Sequence, residues 1–250
     1  MTTCLNCGKR FEGKFCPNCG QKAEVERLTA TVLLKETLHF FLHFEKGFLH
    51  TAWNFIAQPG KASIDFLKGK RKQFQKPVSY ILILTGIYIL LHNFIINHYN
   101  YHYNLFQKSI TNLDFQEQSN ILLRTHFTPF ILIIILLSAV IIYPILGRRK
   151  FNFVEILTLC LYGGGTYFLM LIVSDIILGA VFKVNIISMN VFLWQTTLSS
   201  IYNFWFCLDI FKRKHLKLLW PRLIVTAILI SVMGWMVMNY LPMFWVLKFT

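Results

Sequence analysis

Acidic side chains are scarce in this chain. Its 250 residues hold eleven Asp and Glu against 25 Lys and Arg, and charged residues of both signs reach only 14%. A typical soluble domain carries about a quarter. With so little charge, a hydrophobic fraction of 55% and a positive mean hydropathy, the composition excludes an ordinary soluble globule and points to an integral membrane protein. A Walker phosphate loop, a Gly-x-Ser-x-Gly elbow and a His-Glu-x-x-His pair are all missing, as are internal repeats and low-complexity tracts. No apolar stretch of signal-peptide type precedes the N-terminal cysteines, so the first span is expected to act as its own targeting signal. Cysteine is absent between residues 19 and 160. Four of the six crowd into the first nineteen residues, and Cys160 and Cys207 lie inside apolar runs, unlike a secreted disulfide framework.

What is present begins with that cluster. Residues 4–20 read CLNCGKRFEGKFCPNCG: two C-x2-C pairs eight residues apart, each followed by Gly. A C-x2-C turn presents two sulfurs to one ion, and Cys4, Cys7, Cys16 and Cys19 together supply the four thiolates of a tetrahedral zinc site. Gly8 and Gly20 suit the positive φ such turns require. Lys9, Arg10, Lys14 and Lys22 would offset the site's negative charge, and Phe11 and Phe15 would cap it. Four sulfur ligands leave no open coordination position, so the expected role is structural, with recognition by the folded ribbon left open.

Residues 28–57 alternate polar and apolar positions at helical spacing. Glu36, His39, His43, Lys46 and His50 fall on one stripe, and the remainder is broadly apolar, which predicts an amphipathic helix ending at Pro59 and Gly60. Glu36, His39, His43 and His50 could form a second metal site; a polar interfacial face is the reading favoured over it. Between Pro59 and Pro77 lies a basic junction, Lys68, Lys70, Arg71, Lys72 and Lys76, expected to face anionic lipid.

Five apolar runs follow, near 78–96, 127–146, 153–178, 191–211 and 223–241, each about long enough to cross a hydrocarbon core of ~30 Å. The expected fold is all-α: a five-span polytopic protein preceded by a zinc ribbon and an amphipathic helix, divided as 1–27, 28–76 and 77–250. Lys and Arg alternate between connections. Twenty-one lie before span one, between spans two and three, and between spans four and five; four lie in the remaining segments. The positive-inside rule then places the N-terminus in the cytoplasm and the C-terminus outside, in an inner membrane. The blocks of positive charge flank apolar runs, so the net charge of +14 is read as membrane contact rather than nucleic-acid binding.

Three further features stand out. Gly163, Gly164 and Gly165 fall mid-way along span three; tight packing is favoured over a discontinuous helix at a binding site. His98 and His102, with His92 and His126, could gather a metal outside the membrane. Glu155, Asp175 and Asp209 are placed near span ends, with none at a midplane, which lowers the expectation of a coupled transporter. The polar residues of span four, Gln195, Thr196, Thr197, Ser199, Ser200 and Asn203, are expected to bond between helices.

CLNCGKRFEGKFCPNCGQ followed by GFLHTAWNFIAQPGKASIDFLKGKRKQFQKPVSYI resembles a bacterial membrane family of unknown function. In it a short zinc ribbon precedes a Pro-Gly, Gly-Lys-Arg, Pro block and several spans. The matching positions are Cys4, Cys7, Cys16, Cys19, Gly20, Gln21, Gly47, Thr51, Pro59, Gly60, Gly69, Lys70, Arg71 and Pro77. The resemblance implies a membrane location and a ribbon, and brings no catalytic residues. The function expected is a non-enzymatic, membrane-anchored ribbon that recruits a cytoplasmic protein or senses a signal. The alternatives are a small-molecule transporter or channel built around span three, or a lipid-modifying enzyme using His39, His43 and His50.

Overall fold

The structure is a computed structural model that describes residues 1–33, 47–99, 128–148, 150–186, 188–214 and 218–249. The head is a two-strand ribbon. β1 (Thr2–Thr3) pairs antiparallel with β2 (Arg10–Phe11), and Phe15 bridges to Lys22. Each cysteine pair closes the same turn: the Gly8 and Gly20 amides donate to the Cys4 and Cys16 carbonyls, at 2.9 and 2.8 Å. Both glycines have φ above +70°, where a Cβ would be strained. Phe11 is buried against the cysteines, whereas Phe15 is exposed, so the expected two-ring cap is one ring.

Helix resumes at α1 (Phe48–Ala57), breaks at Gln58, and restarts at once as α2 (Pro59–Leu67). Proline at the first position of α2 costs no hydrogen bond, because that amide has no helical partner in any case. Pro59 therefore starts a second helix where the first was expected to end. The two helices fold back on one another and wedge into the end of the bundle. Phe55 is fully buried and stacks on Tyr162 at 4.2 Å, with Phe66 and Phe74 edge-on around them. Gly60 sits so close to Asp209 that a Cβ would lie 2.6 Å from it.

Beyond a turn at Gly69 come the long helices. They are α3 (Pro77–His98), α4 (Thr128–Ile142), α5 (Phe153–Asp175), α6 (Met189–Arg213) and α7 (Leu219–Phe249). α4 and α5 each end in a wider π turn, Tyr143–Gly147 and Ile176–Val181; Pro144, which has no amide to donate, accounts for the first. Asn152 and Glu155 form a reciprocal capping box at the start of α5.

α5 is the axis. Its apolar window is 78% buried against 17% for α7, so its neighbours pack around it and α7 lies at the edge. The glycines explain how they approach. α5 runs unbroken through Gly163, Gly164 and Gly165, and successive positions turn by about 100°. Gly163 therefore faces Phe206 of α6, Gly164 faces Ile135 of α4 and Gly165 faces Tyr80 of α3. A Cβ at the last two would come within 2.5 Å of those side chains.

Among the described residues, four helices are long and apolar enough to cross a membrane: Pro77–His98, Thr128–Gly147, Phe153–Val181 and Leu219–Met238. The 25-residue α6 is not among them, because of its polar side chains. These bond mostly within α6 itself rather than between helices, contrary to expectation. Thr196, Thr197 and Ser200 donate to carbonyls three or four residues back, and Asn203 donates to the Ser199 carbonyl. Of the polar stripe that could form a second metal site, Glu36, His39 and His43 lie outside the described residues. His50 is exposed on α1 with its ring against Phe74.

Candidate metal centre and a buried polar cluster

The four sulfurs of Cys4, Cys7, Cys16 and Cys19 all lie within 4.8 Å of one another, with Cys4 to Cys19 at 3.5 Å and Cys7 to Cys16 at 3.6 Å. A tetrahedron with metal–sulfur bonds of about 2.3 Å has edges of about 3.8 Å. The arrangement therefore fits one four-thiolate metal ion. The four thiols are electrostatically unequal. The Lys9 backbone amide and the Asn18 side chain hold Cys7 down to about 6, whereas burial pushes Cys19 up to about 11.

The ribbon does not hang free of the helices. Gln21 accepts from the Lys72 amide through Oε1 at 3.1 Å, and Leu5 and Val25 close over Gly69, whose φ of +101° admits only glycine comfortably. Arg71 donates to the Glu26 carbonyl at 2.7 Å and lies over the Phe66 ring. Arg27 forms a two-pronged bond to Glu155 at 2.8 and 3.0 Å, and the carboxylate raises its guanidinium above the usual range. Asn152 holds the Leu28 carbonyl at 2.9 Å, and the Leu28 side chain is buried among the helices. The basic junction is thus partly committed to protein. Lys70 pairs with Asp65, Arg71 donates to the Glu26 backbone carbonyl, and Lys72 binds Gln21 through its backbone, while the side chains of Lys68 and Lys72 remain exposed.

At the far end of the bundle three helices contribute one polar cluster that sequence reasoning missed. Asp175 of α5 has no exposed surface. Its Oδ2 lies 2.7 Å from Nδ1 of His92 on α3, and Oδ1 accepts from Nε2 of Gln195 on α6 at 2.8 Å. The Tyr88 hydroxyl lies 3.1 Å from the same His92 nitrogen, and Ser174 stands beside Gln195. With the ring proton on Nδ1, both carboxylate oxygens are satisfied by donors from neighbouring helices. Such a group can tie three helices together, and it can also hold a proton inside the bundle.

Asp175 lies six residues before Val181, where the π turn that prolongs α5 ends, and it is wholly buried there. The cluster corrects one expectation. His92 is turned into the bundle, so it cannot join His98 in an external metal site; His102 and His126 lie outside the described residues. A signal was available. His92 lies six residues in from His98, and Gln195 six residues in from Met189, the same depth as Asp175.

A family model described as a protein of unknown function (DUF3667) matches residues 45–89. The matched stretch covers α1, α2, the basic turn and the first half of α3, the part that wedges against Tyr162 and Asp209. No curated protein and no solved structure matches the chain.

Proposed function

We propose that this chain is a five-span inner-membrane protein with a cytoplasmic N-terminus and an external C-terminus. Its zinc-loaded ribbon serves as a non-enzymatic adaptor or sensor on the inner face. α6 is the fifth span. Its exposed Thr197, Ser200 and Asn203 bond to its own backbone, which reduces the cost of placing them in lipid. Exposed Leu193, Trp194 and Ile201 give the helix an apolar outer side. The alternation of Lys and Arg supports the orientation, and zinc suits four thiolates in a reducing compartment.

The observation that carries the sensor reading is the set of bonds from residues 21–28 to Lys72, Arg71, Asn152 and Glu155. A head used only as a flexible tether would need none of them. Because the ribbon's fold depends on its metal, loss of metal would release these contacts and expose the α1–α2 wedge to a partner protein. Hydrogen exchange of the full chain with and without a chelator tests this. Exchange should rise in residues 68–76 and 152–155 as well as in residues 1–22. A rise confined to the ribbon would defeat the reading.

The Asp175 cluster supports a second reading, a proton-coupled transporter, better than the three glycines do. Reconstituted protein that moves protons in a way abolished by Asp175→Asn would favour transport over sensing.

A further inference from the structure

Beside the wedge, α2 and the last turn of α6 enclose an open cleft of about 420 Å³ lined by Lys61, Ile64, Asp65, Lys68, Arg213 and Lys214. Four cations, brought from positions some 150 residues apart in sequence, face a single acid. That acid already bonds Lys70 at 3.1 Å. Two further carboxylates near these cations are also committed: Asp209 accepts from Arg213 Nε at 2.9 Å and from the Gly60 amide at 2.7 Å, and Glu155, whose charge Lys214 also feels, is held by Arg27 at 2.8 Å. Lys214 is held over the Phe151 ring, with Nζ 5.3 Å from its centre. Lys61 and Lys68 are exposed. Like charges gathered in one concave site repel unless an anion joins them, and the volume falls in the range of small-ligand sites, about 300–1,000 Å³.

The depth of the cleft narrows the anion. The α1 helix of the same hairpin exposes Leu49 and Trp53, and Trp220 is exposed at the start of α7, close in sequence to Lys214. Tryptophans on the outer surface mark the level of lipid headgroups, and basic pockets between helices at that level hold phosphorylated headgroups. Lysines suit a phosphate as point charges that need no fixed geometry. We infer that this cleft is a binding site for a phosphate group, supplied by an anionic lipid headgroup or by a soluble phosphate, and held chiefly by Lys61, Lys68 and Lys214. The site depends neither on the ribbon's metal nor on the adaptor reading.

The test uses full-length protein in detergent, titrated with phosphatidylglycerol, phosphatidylcholine or inorganic phosphate, with bound species counted by native mass spectrometry. The wild type should retain phosphatidylglycerol over phosphatidylcholine, and K61Q/K68Q/K214Q should lose that retention at least about tenfold. K61R/K68R/K214R should keep it. K9Q/R10Q/K14Q, which removes the same charge from exposed ribbon positions, should leave it unchanged. Retention of inorganic phosphate without preference between the lipids, lost in the same variant, would assign the site to a soluble phosphate. Equal retention by the cleft variant and the wild type, equal loss in the ribbon variant, or no binding of either probe would overturn the proposal.

Discussion

At the ribbon end, Arg27 reaches Glu155 with 65% of its side chain still in water; at the far end, Asp175 meets His92 with none of its own exposed. Both are acid–base contacts between distant parts of the chain, yet their energetics are opposed. The first pair is open on one side only: Glu155 is buried, and Arg27 is the partner that water and salt reach. A buried pair costs a great deal to assemble and still more to break, because removing one partner strands the other without water. The ribbon-end contact is therefore the more easily screened and the far-end contact the less, because three helices share hydrogen bonds there.

Removing the metal should separate the two ends most clearly. Structural zinc contributes on the order of 10 kcal/mol to small four-ligand modules, so chelation or Cys16→Ser should unfold residues 1–22 outright. The far end should be unmoved, and a melt of the helical bundle should shift by less than a few degrees. Metal analysis of purified protein should give one zinc per chain. At pH 7 Cys7, held down to about 6, is already a thiolate, whereas Cys19, pushed up to about 11, must surrender its proton. Metal uptake therefore releases protons, and the apparent metal affinity, measured against a competing chelator, should fall more steeply with pH below about 6, where Cys7 too takes up a proton. An affinity that does not change between pH 8 and pH 5 would contradict this assignment of the thiols.

The second break is at Asp175. Asp175→Ala leaves His92 and Gln195 buried with their shared acceptor gone, and should cost about 3–5 kcal/mol in denaturant unfolding of the detergent-solubilised bundle. Asp175→Asn keeps one acceptor oxygen and should cost less. A wild-type melt for the alanine variant would mean that water or lipid headgroups reach the cluster, and the contrast between the ends would dissolve. Overpacking comes next. Gly165→Leu drives a side chain into Tyr80, where even a Cβ would lie 2.5 Å away, and should destabilise by about 1–3 kcal/mol. Gly163→Ala meets Phe206 at an ordinary 3.5 Å and should be nearly neutral.

Much of this was legible beforehand, and the boundary has a physical cause. Metal coordination ties ligand spacing to geometry, so Cys4, Cys7, Cys16 and Cys19 could be read directly. Apolar length against bilayer thickness likewise marks α3, α4, α5 and α7. The wedge was not legible, because the apolar face of residues 48–57 looks the same whether it meets lipid or Tyr162. The burial of Asp175 was hidden because its partners, His92 and Gln195, stand on helices distant in sequence, and no periodicity predicts which residues of three helices meet. α6 was ambiguous for a third reason. Hydropathy scores Thr197, Ser200 and Asn203 as solvent-seeking without knowing that their polar groups close onto their own helix.

The finest test lies in the Arg27–Glu155 pair. Arg27→Ala should barely change unfolding of the bundle, because Glu155 keeps the Asn152 amide as a donor inside the capping box. It should nonetheless loosen the ribbon, since Arg27 links the linker directly to α5. Hydrogen exchange at residues 68–72 should rise in the variant while residues 88–95 stay protected. Raising wild-type protein to about 1 M salt should reproduce part of that rise, because the Debye length falls to about 3 Å. Salt should add little once Arg27 is gone. If Arg27→Ala and salt instead acted additively, the docking would rest on other charges at this face, with Arg71 the first to examine. If neither moved the ribbon, the apolar closure of Leu5 and Val25 over Gly69 and the buried Leu28 would be what holds it.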